Sequence, residues 1–310
     1  MSSSPLPLLS VKPRSRSAGL AANQSAQIRP TPVSVVTARR GVRRSPAQLQ
    51  SLLQPTVDRG LAMELLDDPE VLARAIAGCR VITSVDGKKV QVNSLRWLST
   101  ISVRQLVGVR RLGSHHGARS TLATHSTRLD GRTHLVFAES LLEGAWMSVL
   151  DRRDDVHGYL GQGCAVTWPI SDLGYLHHFI DILADTDDGM TLLSVKPGHL
   201  LTGFNGLVLE ELLPDSCRAH GVGYELLGSL SDQCRVNLRA LAAWRWKQPV
   251  EREEWWRPGT PGATISVARL ARQLGGAELG RGRALLALAQ NHLDIDLDQP
   301  IRTSTIGVWR

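Results

Sequence analysis

The chain has 310 residues, 42% of them apolar, and a formal net charge of +7. That length suggests about two domains of ~150 residues and leaves room for a sizeable core. No run approaches the ~20 apolar residues needed to cross a bilayer, which argues against a membrane role and for a cytoplasmic protein.

The charge is unevenly placed. Of the 36 basic residues, eight (Lys12, Arg14, Arg16, Arg29, Arg39, Arg40, Arg43, Arg44) lie in residues 1–57, which hold no acidic residue; the other 28 face 29 acidic ones. Residues 1–45 are rich in Ser, Pro and Arg without hydrophobic periodicity, so disorder is expected there. Such a tail suits a basic arm on nucleic acid, and equally a transit-like peptide or sequence upstream of the true start. Cys79, Cys164, Cys217 and Cys234 have no metal-like spacing, so buried free thiols in a reducing compartment are expected.

Residues 46–79 read as a helical extension. Ser45-Pro46 can start one helix, and Leu66-Asp-Asp-Pro69 ends one and begins the next. An α/β unit is then placed over 80–250. Residues 80–92 alternate around Asp86-Gly87, a strong hairpin signal. Arg110, Arg111 and Arg119, in a loop that also holds His115, His116 and Arg128, are candidate nucleic-acid contacts; a solvated loop is the alternative.

The centre of the chain carries the chemistry. Residues 137–150 have helical spacing, with Leu141, Leu142, Ala145, Trp146 and Val149 as the expected buried stripe and Glu139 and Glu143 one turn apart on a neighbouring face. Strands are expected over 158–170, 175–185 and 189–201. The last two are joined by the turn-rich Asp185-Thr-Asp-Asp-Gly189, and Lys196-Pro197 lies in the final one. Helical spacing returns at Asn205–His220, a short strand at Tyr224–Leu227, and a helix capped by Ser231 over 231–246. That order predicts an α/β fold with a mixed sheet.

A helix bearing a glutamate followed by a hairpin bearing a lysine resembles the core of the PD-(D/E)XK nucleases. From about Val81 onward the chain resembles more closely the TnsA-like endonuclease subunits of heteromeric transposases. The similarity is carried in order by VITSVDGKKVQV, Val-Gly-Val-Arg-Arg111, Phe137-Ala-Glu139-Ser140-Leu-Leu-Glu143, Gly161-Gln162-Gly163 with Trp168, His177-His178-Phe179, Asp188-Gly189, Val195-Lys196-Pro197, Gly223-Tyr224 and Val236-Asn-Leu-Arg239. The resemblance implies a restriction-endonuclease-like core and magnesium-dependent DNA cleavage at transposon ends. It also implies a partner transposase and an AAA-type ATPase. Carried over by position, the catalytic set is Glu139, His178, Ser194 and Lys196, supported by Gln162 and Glu143, with Glu139 and His178 as metal ligands.

Two of those positions depart from the family pattern. His178 stands where an aspartate is expected and Ser194 where an acid or amide is expected. Magnesium prefers hard oxygen ligands, and imidazole suits other metals, so magnesium is expected to bind weakly or not at all, with manganese or zinc possible. Asp181 is excluded from the site by strand alternation from His178, and Asp185 by its place near the turn. Impaired cleavage is therefore expected. The alternative is a catalytically inactive nuclease-fold protein that binds DNA or partners as an assembly factor.

Residues 251–263 (EREEWWRPGTPGA) read as a linker, and 264–310 as a separate winged-helix-like module of two helices and a β-ribbon. Arg269, Arg272, Arg281 and Arg283 are its candidate contacts. Gly275–Gly282 lacks a phosphate-loop lysine and is expected to be a turn between the helices.

Overall fold

The computed structural model describes residues 49, 51–85, 89–109, 123–127, 134–244 and 250–310. The N-terminal tail, Arg110, Arg111, Arg119 and the Asp86-Gly87 turn lie outside them. The described part is a mixed α/β fold, as the sequence predicts.

Helices α1 (Arg59–Leu66) and α2 (Pro69–Ala77) follow the capping signals closely. The Asp58 carboxylate accepts the Gly60 and Leu61 N–H groups, Asp68 accepts that of Glu70, and Pro69 occupies a first-turn position where its missing donor is no loss. Strands β1 (Arg80–Val85) and β2 (Lys89–Ser94) form the expected hairpin, and β3 (Leu106–Val107) pairs with β1. A second hairpin joins β4 (Ala123–Thr127) to β5 (His134–Ala138).

Helix α3 (Leu141–Leu150) starts later than the spacing suggests, because residues through Ala138 are held in β5. Its buried stripe is Glu143, Met147 and Leu150, while Leu141 is 63% exposed. The stripe is turned by one residue because Glu143 folds inward to complete the helix cap. The Ser140 hydroxyl accepts the Glu143 N–H (3.1 Å) and donates to Glu143 Oε1 (2.9 Å), and Glu143 Oε2 accepts the Glu139 N–H (2.8 Å).

The two expected strands 158–170 and 175–185 are each broken in two. The first becomes β6 (Val156–Gly161) and β7 (Cys164–Ile170); the second becomes β8 (Gly174–Phe179) and β9 (Ile182–Thr186). Strand β10 (Gly189–Val195) ends before Lys196 and pairs with β9 across a two-residue turn. A helical run follows, Phe204–Gly206, a π-helical turn Leu207–Leu212 and α4 (Leu213–His220), closed by Gly221 at φ 67°. This run crosses over to β11 (Gly223–Leu227), which lies parallel to β10.

Two sheets result. One has the order β2-β1-β7-β8 with β3 at its side; the other is mixed, β11-β10-β9-β6. Strand alternation gives the mixed sheet two apolar faces. Leu183 and Leu192 join the largest core with Trp168, Val208, Leu212 and the residues of α1 and α2. Ile182, Ala184, Leu193 and Val195 pack on the other face with Met147 and Leu150 of α3. All four cysteines are free and buried.

Helix α5 (Asp232–Ala242), capped by Ser231, leads into the C-terminal part: β12 (Thr264–Ser266), α6 (Val267–Gln273), α7 (Gly276–Ala289), β13 (Leu293–Asp294) and β14 (Ile306–Trp309), with sheet order β12-β14-β13. The stretch expected as a linker supplies core. Trp256 is buried with Leu270, Leu288 and Trp309, and its ring lies 5.7 Å from that of Trp309. Nor does this part stand alone. The Arg152 guanidinium donates to the Leu288 and Leu293 carbonyls (2.8 and 3.3 Å), and Asn237 Nδ2 donates to those of Leu297 and Gln299 (2.8 and 2.7 Å).

The glycine run expected as a turn is mostly helix. Gly280 lies inside α7, where a Cβ would fall 1.8 Å from the Ala271 carbonyl oxygen. Gly280→Ala therefore forces α6 and α7 apart. A loss of about 2 kcal/mol is expected in urea unfolding, and an unchanged midpoint would contradict this packing.

Candidate functional site

Residues 156–170 and 174–186 are two arms of one long hairpin that leaves one sheet and enters the other. β6 pairs with β9 (Gly161 opposite Ile182) and β7 with β8 (Ala165 opposite Phe179). Both arms break at the same level. Three backbone bonds fix the break: the Gln162 N–H to the Asp181 carbonyl (3.0 Å), the Ile180 N–H to that of Cys164 (3.1 Å), and the Val109 N–H to that of Gln162 (3.0 Å). Gly161 is needed here, since a Cβ would fall 2.1 Å from the Phe137 carbonyl oxygen at the end of β5. Gln162 sits at φ 53°, a left-handed conformation that costs a side-chain-bearing residue about 1 kcal/mol or more.

Around this break the structure gathers most of the predicted site residues. Glu139 is the residue between β5 and the Ser140 cap, so it precedes α3 instead of riding on it. The Asp181 carboxylate accepts the Val195 N–H through Oδ2 at 2.7 Å. Leu193 pairs with Ile182, which sets Ser194 opposite Asp181 at the next position. Lys196 follows two residues on, its N–H bonded to the Leu227 carbonyl at 2.9 Å.

The charges are close enough to act on one another. The Asp181 carboxyl is pushed up to about 7, first by burial and next by the negative charge of Glu143, with a smaller push from Glu139; the Val195 N–H and the Lys196 ammonium pull the other way. His178, in β8, is lowered to about 4 by burial, then by Lys196 and Arg59, so its imidazole is neutral at pH 7.

Strand alternation set Asp181 aside, yet its carboxyl lies within electrostatic range of Glu143, Lys196 and Glu139. Alternation holds only within a continuous strand, and the chain changes sheets between Phe179 and Ile182. A carboxylate thus does stand at the site, three residues beyond His178. Asp185, by contrast, is engaged elsewhere: its carboxylate accepts the Ser102 hydroxyl (2.7 Å) and the Val103 N–H.

Several buried polar atoms here lack a hydrogen-bond partner among the described residues: both amide atoms of Gln162 and His178 Nε2. Gln162 is 1% exposed and Ser194 0%. Ser194 Oγ lies beside the Tyr224 phenol, which donates its own proton to the Leu209 carbonyl at 2.8 Å and accepts from the serine on its oxygen. Orphaned groups of this kind cost about 1–3 kcal/mol each, so the Gln162 amide and the His178 ring nitrogen call for a polar partner.

Would a divalent cation fit? No three His, Cys, Asp or Glu side chains among the described residues form a metal cage by themselves. Magnesium does not need one. It keeps several waters and can be held by one or two carboxylates together with substrate phosphates, and Asp181 and Glu139 are carboxylates within electrostatic range of one another.

In the C-terminal part, Arg272, Arg281 and Arg302 line a cavity of about 300 Å³ over Val267, Ala271 and Leu285. Arg283 instead holds the fold together. Its guanidinium lies 4.6 Å from the Trp255 ring centre and donates to the Leu274 carbonyl at 2.6 Å. No family model matches this chain, and no curated protein matches it.

The raised Asp181 carboxyl has a measurable consequence. Between about pH 4 and 7 the folded, metal-free protein holds a proton that the unfolded chain has released, so this group's contribution to stability falls as pH rises through that window. His178, with its lowered value, slopes the opposite way, so the test is a comparison. Relative to the wild type, Asp181→Asn should gain stability as pH rises from 4 to 7 in thermal denaturation; a pH-independent difference would refute the assignment.

Proposed function

We propose that this chain is a TnsA-like subunit of a heteromeric transposase, with a PD-(D/E)XK-type core that cleaves DNA at transposon ends with the help of a divalent cation. Cleavage is slow because the Ser194 hydroxyl stands where a carboxylate is expected. The observation that carries this reading is Asp181 beside Ser194 of the neighbouring strand, with Lys196 two residues on and with Glu143, Lys196 and Glu139 all in electrostatic range of the Asp181 carboxyl. The topology supports it: after α3 come five strands, of which β6, β9 and β10 lie antiparallel in the mixed sheet, then a helical crossover to the parallel β11.

Asp181 and Glu139 would hold magnesium or manganese, with Glu143 fixing Glu139 through its backbone N–H. The cation, when bound, polarises the phosphate and acidifies a water. Lys196 supplies a positive charge beside Asp181, suited to holding the attacking water or the charge that develops on phosphate. Neutral His178 presents an unpartnered ring nitrogen at the same place. The C-terminal helices with their three-stranded ribbon suit a winged-helix-like module. Its arginine-lined cavity suits contact with DNA or with the transposase and ATPase partners.

A second reading, a non-catalytic assembly factor on the same scaffold, is favoured by Ser194 and by the use of both Glu143 oxygens in the cap. Nicking of supercoiled plasmid separates the two. The wild type is expected to nick with manganese and more slowly with magnesium. Asp181→Asn and Glu139→Gln should each lose about 100-fold or more. Nicking that survives Asp181→Asn, or its absence from the wild type with either ion, would leave the assembly factor as the better reading.

A further inference from the structure

Gln162 is held in a way that its role in the fold does not require. Its flanking residues, Gly161 and Gly163, show that glycine is accepted throughout this break, and glycine at 162 would adopt φ 53° without strain. Instead a long polar side chain is kept there, 1% exposed, with neither its oxygen nor its nitrogen hydrogen-bonded among the described residues. Its backbone is pinned on both sides, by the Val109 N–H to its carbonyl and by its own N–H to the Asp181 carbonyl. The pairing of Gly161 with Ile182 extends to set Gln162 across from Asp181, whose other neighbour is Ser194. Gln162, through its N–H, and Ser194, by register, therefore flank Asp181 on either side, and the Gln162 carboxamide is the unpartnered group.

We propose that the Gln162 carboxamide oxygen is a ligand of the divalent cation, supplying the hard oxygen that β10 lacks at Ser194. This rests on the cation-dependent reading of the site. A neutral amide oxygen is an accepted ligand for hard cations but a weaker one than a carboxylate. Two carboxylates and one amide thus hold the ion less tightly than three carboxylates. Burial leaves the carboxamide little room to rotate away when no ion is bound.

The experiment is calorimetric titration of manganese into the full-length protein, compared with Gln162→Leu, Gln162→Glu, Gln162→Gly and Asp181→Asn, alongside thermal denaturation without metal. Gln162→Leu and Gln162→Gly are expected to bind manganese about 10-fold or more weakly, and Gln162→Glu to bind more tightly than the wild type. Gln162→Gly is also expected to melt no lower than the wild type, which separates ligation from a structural role. Wild-type affinity in Gln162→Leu, with binding lost in Asp181→Asn, would overturn the inference and leave the cation site standing. A wild type that binds no manganese would overturn both.

Discussion

Strand β10 has a backbone donor that its neighbour cannot satisfy. By register Val195 should meet Ile180, but Ile180 has crossed to the other sheet and given its own N–H to Cys164. The Asp181 carboxylate takes the Val195 N–H in place of the missing carbonyl. A buried N–H without an acceptor is rare, so this side chain closes the mixed sheet at the point where the hairpin bends. The carbonyl of the same residue takes the Gln162 N–H, so three strands are joined through one aspartate. The fold and the site share that atom set, and the site residues are positioned as firmly as the sheet itself.

Much of the fold was legible because local chemistry set it. The Leu66-Asp-Asp-Pro69 junction, the Ser231 cap, the Asp187-Asp188 turn and the Gly221 stop are all found where residue type alone would put them. The break in the long hairpin was not legible. Its arms read as continuous apolar runs, and nothing in Gly161-Gln162-Gly163 announces that the residue with φ 53° is the glutamine. That one event hid Asp181 from any reading by alternation. The one-residue rotation of α3 was hidden for a related reason: a stripe is sought among apolar residues, whereas here a glutamate turns inward to serve a cap. The tryptophans of 251–263 were hidden by charged neighbours and by Pro258 and Gly259, which describe a loop correctly but not what it packs against.

The electrostatics of the site have a common origin in low hydration. Burial raises the carboxyl of Asp181 and lowers the imidazole of His178, so both drift toward their uncharged forms in the metal-free protein. A cation reverses the balance at Asp181 by favouring the carboxylate. The buried amide, hydroxyl and imidazole are neutral polar groups around that exchange. They add dipoles without adding charge that the interior would have to neutralise.

Arg152 lies one residue beyond Asp151, which caps the C-terminal end of α3, and it is buried deeply enough that its guanidinium is lowered to about 10. There it grips two carbonyls of the C-terminal part. In the first turn of the same helix, Glu143 completes the cap that holds the Glu139 backbone. Helix α3 therefore joins the candidate site to the C-terminal part, held at its start by a carboxylate that accepts backbone N–H and just past its end by a guanidinium that donates to backbone carbonyls.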